Sequence, residues 1–142
     1  MKEALDKAGI KTPPAGGGYL DENGNLKLEY VARANMDTLA RTLARDDLKM
    51  HQLRRFFNYC REIERRLRSK PGSWEAERPN VVRLSAFAAD AAGKKKIPRS
   101  FRDFIDKNVE RARSADEFLK GFMPHFEALV GFAALYLKEE KK

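Results

Sequence analysis

Cysteine and histidine are scarce in this chain, and their scarcity excludes several kinds of site. The 142 residues include one cysteine, Cys60, and two histidines, His51 and His125. A lone cysteine cannot form a disulfide within the chain, which favours a reducing compartment and predicts that Cys60 is a small buried apolar side chain. The histidines lie on different predicted helices without HExxH or CxxC spacing, so we expect no metal site.

Long apolar runs and catalytic motifs are also missing. The sequence has no apolar run of about 18 residues, and its charged, then Pro/Gly-rich start does not resemble a signal peptide, so we expect no membrane span and a cytoplasmic location. It contains no G-x-S-x-G, P-loop or dinucleotide-binding glycine pattern. Most carboxylates alternate with basic residues, which indicates surface ion pairs. We therefore expect neither enzymatic activity nor a cofactor.

Positive charge is abundant and concentrated in the middle of the chain. The net charge is +8 and the pI is about 9.7, which favours an acidic partner such as nucleic acid or an anionic membrane. Residues 49–68 contain seven basic and two acidic side chains, and residues 91–113 contain eight basic and three acidic ones. Each of these segments therefore has a net charge of +5.

The segment 49–68 is predicted to be a two-faced helix. At helical spacing one face is apolar, with Leu53, Phe56, Phe57, Cys60, Ile63 and Leu67. Beside it runs an arginine stripe, defined here as Arg54, Arg61, Arg65 and Arg68. Guanidinium groups fork onto phosphate oxygens, so the stripe fits a reader of a phosphate backbone. A solvated charged face is the alternative that the pattern leaves open.

The periodicity predicts an all-α, compact five-helix bundle with a flexible N-terminal arm. The arm covers residues 1–18, which end in TPPAGGG, and a single helical domain covers residues 19–142. The dipeptide Asn23-Gly24 predicts a type I′ hairpin or a plain turn. The first helix is expected from about Glu29 to Asp46-Asp47. The second follows with Lys49 or Asp47 as N-cap, and Gln52 is placed to complete a capping box.

The other three helices carry their own start and stop signals. Pro79 is predicted in the first turn of the third helix, and Gly93 as its left-handed cap. The fourth helix is expected from residues 98–100 onward, and the fifth from Ser114, with residue 117 in a capping box. Gly121 and Pro124 should kink or split the fifth helix. The regularly spaced phenylalanines belong to the core, and Trp74 to its edge.

A basic loop at residues 94–99 (KKKIPR) forms the second candidate site. Three lysines in a row exceed what the dipole of the preceding helix explains. With no base-reading motif present, the two basic clusters indicate contact with a nucleic-acid backbone without sequence preference. The candidate RNA-binding residues are Lys49, Arg54, Arg55, Arg61, Arg65, Lys94, Lys95, Lys96 and Arg99.

Several motifs together resemble a known family, the small subunit of the type III-A CRISPR effector (Csm) complex. Residues 21–26 (DENGNL) resemble its D-x-x-G-N-L opening, and residues 48–57 (LKMHQLRRFF) resemble L-T-x-x-Q-[LI]-R-[KR]-[FY]-[FY]. Residues 101–105 (FRDFI) resemble F-x-x-F-I, and residues 123–130 (MPHFEALV), after Phe122, resemble F-x-x-F-E-A-[LI]-V. Two positions depart: Lys49 replaces the usual Ser or Thr, and Asp90 stands where an aromatic residue is expected.

The resemblance implies a non-catalytic subunit of a defence complex. Several copies would stack beside the duplex of guide RNA and target RNA, in contact with the backbone and large subunits of the Csm complex. Other interpretations remain: the small subunit of a type III-B complex, or a protein–protein adaptor whose basic face meets an acidic protein. A peripheral membrane binder is disfavoured because it needs exposed aromatic side chains, which the core requires here.

Overall fold

The computed structural model describes residues 18–139, and in this range it is a bundle of five α-helices. The helices are α1 (Arg33–Arg45), α2 (Met50–Ser69), α3 (Trp74–Gly93), α4 (Arg99–Arg111) and α5 (Met123–Ala133). A 3₁₀ turn (Leu28–Tyr30) precedes α1, and a π-helical segment (Glu117–Phe122) precedes α5. The predicted all-α fold is confirmed. Apart from Gly18, the predicted N-terminal arm lies outside the described residues.

The Asn23-Gly24 dipeptide forms a turn rather than a hairpin ladder. A single antiparallel bridge joins Leu20 to Leu26. The Asp21 carboxylate closes the turn by accepting the N–H groups of Asn23 and Asn25 at 2.9 and 3.0 Å. Gly24 has φ +80°, the left-handed conformation that glycine adopts without steric cost.

The first helix begins later than the periodicity predicts. Residues 28–30 form the separate 3₁₀ turn, and α1 begins only at Arg33. The apolar residues divide accordingly, because Leu28 is exposed while Tyr30 is buried. The pattern of apolar residues therefore marked the correct region but joined two elements into one.

The junction between α1 and α2 is a Schellman-type turn centred on Asp47. Asp47 has φ +68°, and the Leu48 N–H donates back to the Leu43 carbonyl at 3.0 Å. Asp47 therefore ends α1 and is not the N-cap of α2. Lys49 is the N-cap, but its side chain does not cap, and Gln52 contacts the His51 ring instead of completing a capping box.

The beginning of α2 is capped from a distant part of the chain. The Met50 N–H donates to the Lys138 carbonyl at 2.9 Å. The N-terminal N–H groups of a helix lack partners within the helix, and this carbonyl satisfies the first of them, whereas a Ser or Thr at position 49 would bond the second or third.

The prediction for the start of α3 is wrong. The helix begins at Trp74 with Ser73 as N-cap, and Pro79 lies inside it. A proline at that position leaves the Glu75 carbonyl without its helical N–H donor, and the fold tolerates this loss near the exposed end of the helix. Trp74 lies at the edge of the core as predicted, with its ring centroid 6.1 Å from that of Phe118.

The end of α3 also differs from the prediction. Gly93 remains helical, and Lys95 takes the left-handed conformation with φ +59°. The Lys96 N–H donates to the Ala91 carbonyl at 2.8 Å, which completes a second Schellman-type turn. The three consecutive lysines are therefore held on a tight turn.

The fifth helix starts as predicted and is interrupted as predicted. The Ser114 hydroxyl accepts the Glu117 N–H at 3.1 Å. The Glu117 carboxylate does not return to Ser114 but accepts the Tyr19 N–H at 3.3 Å. The interruption near Gly121 and Pro124 is the π-helical segment, in which the Met123 N–H reaches the Phe118 carbonyl.

The apolar face predicted for α2 is fully buried, and it packs on an aromatic core. All six of its residues are buried, Cys60 among them, and burial raises the pKa of that thiol far above its usual range. Five phenylalanines from α4 and the fifth helical segment fill the centre: Phe101, Phe104, Phe118, Phe122 and Phe126. This confirms that these phenylalanines serve packing.

Polar side chains inside the core hold residues 19–30 to the last helices. The Tyr19 hydroxyl donates to the Asn108 Oδ1 at 2.6 Å, and the guanidinium of the fully buried Arg111 lies 5.4 and 5.2 Å from the ring centroids of Tyr19 and Tyr30. His125 Nδ1 lies 2.5 Å from the Tyr30 carbonyl. Desolvation lowers the pKa of His125 from 6.5 to about 4, so its ring is neutral and donates this hydrogen bond.

Candidate nucleic-acid interface

The arginine stripe is exposed along α2, but carboxylates from distant parts of the chain cover it. Arg54 Nη1 lies 3.0 Å from Glu139 Oε2. Arg61 contacts two carboxylates at 2.8 Å, one on Glu64 and one on Glu127 of α5, and its guanidinium lies 4.9 Å from the Phe57 ring centroid. Each of these arginines therefore has a carboxylate beside it that lowers the positive potential which a phosphate would meet.

The lower half of the stripe is paired within α2 itself. Arg65 Nη2 lies 2.6 Å from Glu62 Oε1, and Arg68 Nη2 lies 3.4 Å from Glu64 Oε2. The hydrogen bond from Arg65 lowers the pKa of Glu62, so this pair is ionised at neutral pH. Both ion pairs lie at the protein surface, where solvent screens them. They lower the positive potential without adding much stability.

Two predicted lysines are paired as well. Lys49 Nζ lies 2.8 Å from Asp47 Oδ1, which lowers the pKa of that carboxyl group. Lys94 Nζ lies 3.1 Å from Asp90 Oδ2, one turn earlier on α3. Asp90 thereby neutralises the first lysine of the basic loop.

Four of the nine candidate residues have no ion-pair partner within residues 18–139, and all four are exposed. They are Arg55, Lys95, Lys96 and Arg99. Arg55 lies on α2 on the other side of the apolar face from the arginine stripe, and the other three lie on or directly after the turn that ends α3. The structure thus divides the predicted set into paired and unpaired cations.

A groove between α2 and α3 brings cations from the two basic segments together. Arg55 of α2 and Lys96, which follows α3, both line it, and so does Asp90 of α3. We call this the α2–α3 groove; its other lining residues are Gln52, Phe56, Tyr59, Leu84, Phe87 and Ala91. It encloses about 370 Å³, near the lower end of the range of roughly 300–1,000 Å³ typical of ligand pockets.

One ion pair fixes the spacing of the two groove helices. Arg66 Nε and Nη2 bind the Glu77 carboxylate at 2.9 and 3.0 Å, and Asn80 Nδ2 donates to the same carboxylate at 3.1 Å. The bidentate hydrogen bond lowers the pKa of the buried Glu77. Sequence reasoning missed this contact because Glu77 was assigned to a loop before the helix.

Two aromatic residues in the groove were also missed as site residues. The Tyr59 and Phe87 rings meet edge to face at 5.3 Å, and the Tyr59 hydroxyl donates to the Asn80 carbonyl at 2.9 Å. Phe87 lies on α3, and 38% of its surface is exposed. Its position, seven residues before the first of the three lysines, was the available signal.

The described residues contain neither a metal-binding cluster nor a membrane-spanning helix. Within 18–139, no group of three or more His, Cys, Asp or Glu side chains is arranged to hold a metal ion. In the same range, no helix is both long enough and apolar enough to cross a membrane.

Comparison with known proteins assigns the family. A family model described as Csm2 Type III-A matches residues 27–139. The chain belongs to the Csm2 Type III-A family. This confirms the resemblance to the small subunit of the type III-A Csm complex, and the match covers all five helices and all nine candidate residues. No curated protein and no solved structure gives a significant match to the chain.

Proposed function

We propose that this subunit of the Csm complex binds the backbone of guide and target RNA without sequence preference and performs no catalysis itself. Family membership places the chain in the complex. The observation that supports RNA contact is the gathering of unpaired cations from two sequence segments around the α2–α3 groove. On this view Arg55, Lys95, Lys96 and Arg99 make the first contacts with phosphate, because no carboxylate has to be displaced.

The paired residues have a secondary role in this proposal. Lys49, Arg54, Arg61, Arg65 and Lys94 each hold a carboxylate at 2.6–3.1 Å. Exchange of an exposed carboxylate for a phosphate is nearly neutral in free energy, since both partners are solvated anions. These five residues therefore bind phosphate only where the RNA lies directly against them, and they contribute little to RNA affinity otherwise.

A salt series with matched variants tests the proposal. The affinity of the full chain for single-stranded RNA should fall with salt at a slope of roughly 0.7 per phosphate contact on a logarithmic scale. The double variant Arg55→Ala/Lys96→Ala should flatten that slope by about 1.4, equally for different sequences. Lys120→Ala, at an exposed lysine outside the nine candidate residues, is the control and should leave the slope unchanged.

Removal of a competing carboxylate supplies a variant with the opposite effect. Glu127→Gln frees one side of Arg61 and should raise RNA affinity, with a change in stability within about 0.5 kcal/mol. If the parent, the double variant and Glu127→Gln all bind RNA alike, the basic face does not contact RNA.

In that case the adaptor interpretation gains support. The specific observation in its favour is that the arginine stripe already forms ion pairs with carboxylates, the groups that an acidic protein would present. Incorporation of the variants into the Csm complex then distinguishes the two. If the basic face is an adaptor surface, the variants are no longer incorporated into the complex, and their RNA affinity is unchanged.

The remaining parts of the proposal concern assembly. We infer that several copies stack on one RNA and contact the backbone and large subunits, in the cytoplasm. Sedimentation of the full chain with RNA of increasing length should show stepwise addition of copies. A fixed one-to-one stoichiometry at every length would contradict stacking.

A further inference from the structure

We propose that the α2–α3 groove holds an unpaired nucleotide, whose base stacks on Phe87 while its flanking phosphates bind Arg55 and Lys96. This inference rests on the proposed RNA binding and deepens it, because it assigns the groove a nucleobase in addition to a backbone. The occupant is a single-stranded nucleotide, since a base inside a duplex has no free face to offer.

The first argument is the combination of side chains. Recognition of single-stranded nucleic acid typically pairs a positively charged groove with aromatic side chains on which bases stack. The α2–α3 groove has both: cations at Arg55 and Lys96, and aromatic rings at Tyr59 and Phe87. Along the described surface, Phe87 is one of the few large apolar side chains that stay exposed.

The second argument is the charge balance around the groove. The groove holds one acidic side chain, Asp90, and Lys94 neutralises it at 3.1 Å. Arg55 and Lys96 have no ion-pair partner within residues 18–139. Arg83 does not line the groove, and its guanidinium lies over the Phe87 ring, 5.4 Å from the centroid, so a stacked base must occupy the other face of that ring. The occupant must therefore carry negative charge together with a flat apolar face, and a nucleotide has both.

The third argument is that the rings are already held in place. Tyr59 is fixed by its hydrogen bond to the Asn80 carbonyl, and its ring meets Phe87 at an interplanar angle of 90°. The Arg66–Glu77 ion pair fixes the distance between the two helices. A base that stacks on a preorganised ring has little ordering cost to overcome.

An abasic strand separates this inference from backbone binding. The full chain is titrated with an oligouridylate and with an abasic ribose-phosphate strand of the same length and charge. We expect the oligouridylate to bind about tenfold more tightly, as loss of one base–aromatic stack implies. Equal affinity for the two strands overturns the inference and leaves backbone binding intact, whereas no binding of either strand removes both.

Variants of the ring locate the effect. Phe87→Leu should abolish the preference for the base-containing strand, and Phe87→Tyr should retain it, because only the latter keeps an aromatic face. Leu135→Ala, at an apolar residue that is 70% exposed and outside the groove, is the control and should keep the preference. If Phe87→Leu keeps it too, the inference fails. If Phe87→Leu instead loses incorporation into the Csm complex with unchanged RNA affinity, the groove is a protein contact and the inference also fails.

Discussion

A single methyl group at Gly121 should destabilise this protein, against the usual effect of alanine in helices. A Cβ atom built on Gly121 lies 2.3 Å from Tyr19 Cγ, 2.4 Å from Tyr19 Cβ and 2.6 Å from Tyr19 Cδ2. Carbon atoms in contact prefer about 3.5–4.0 Å. The clash involves the base of the Tyr19 side chain, so a rotamer change does not relieve it and the backbone near Tyr19 must move.

The magnitude follows from what Tyr19 holds. Overpacking of a core costs about 1–3 kcal/mol, and displacement of the Tyr19 hydroxyl leaves the buried Asn108 without its donor at a further cost of roughly 1–3 kcal/mol. The gain in helix propensity from glycine to alanine is about 1 kcal/mol. We expect a net loss of about 1–5 kcal/mol for Gly121→Ala, or a fall in Tm of roughly 4–20 °C for a domain of 142 residues.

Gly131 in α5 is the matched control. Its added Cβ meets nothing within 4 Å, so Gly131→Ala should raise stability by about 0.5–1 kcal/mol. Thermal and urea unfolding followed by circular dichroism measure both variants. The reasoning is refuted if Gly121→Ala is as stable as Gly131→Ala, or if its cost persists when Tyr19→Gly removes the clashing atoms.

Three further predictions concern particular elements. Lys95→Gly should raise the free energy of unfolding by about 0.5–1 kcal/mol, because glycine adopts φ +59° without strain. The same variant should weaken RNA binding. A free energy of unfolding in urea that is equal to or lower than that of the parent contradicts the prediction of stability. Pro79→Ala should raise stability by about 1–2 kcal/mol by restoring a hydrogen bond to the Glu75 carbonyl inside α3, and an unchanged urea midpoint argues against it. His125 has a folded-state pKa below its unfolded value, so its contribution is complete above about pH 6.5 and is lost as the pH falls toward 4, by on the order of 3 kcal/mol. Unfolding measured across that range should show a smaller pH dependence for His125→Asn, and an identical dependence would rule out His125 as its source.

The sequence predicted correctly those elements that depend only on residues close together in the chain. The apolar face of α2 follows from a spacing that needs no information from elsewhere, and its six residues are buried. The Ser114 cap and the interruption before Pro124 are equally local, and both are found. Where two local signals competed, the prediction was wrong: Pro79 fits a first-turn position, but the helix starts earlier, at Trp74.

The candidate site was predictable as a set of residues and not as an arrangement. Composition indicates which segments are basic, but Arg61 meets Glu127 and Arg54 meets Glu139 across 66 and 85 residues, and no window of sequence contains both partners. The same holds for the groove, whose lining residues come from two helices that meet only in the folded protein. Tertiary contacts therefore decide which cations remain available.

The cap on α2 has a consequence for the order in which the molecule can be completed. The hydrogen bond of the Met50 N–H requires the Lys138 carbonyl. Those of Tyr19 and Tyr30 require Asn108 and His125, which are also late in the sequence. During translation the basic helix therefore emerges with an open first turn and an uncovered apolar face, and the contacts that close it are synthesised last. Helical bundles that rely on neighbouring contacts fold rapidly, whereas closure across such separations slows folding. Until its last helix is made, the nascent chain displays Arg54 and Arg61 without the carboxylates of Glu139 and Glu127.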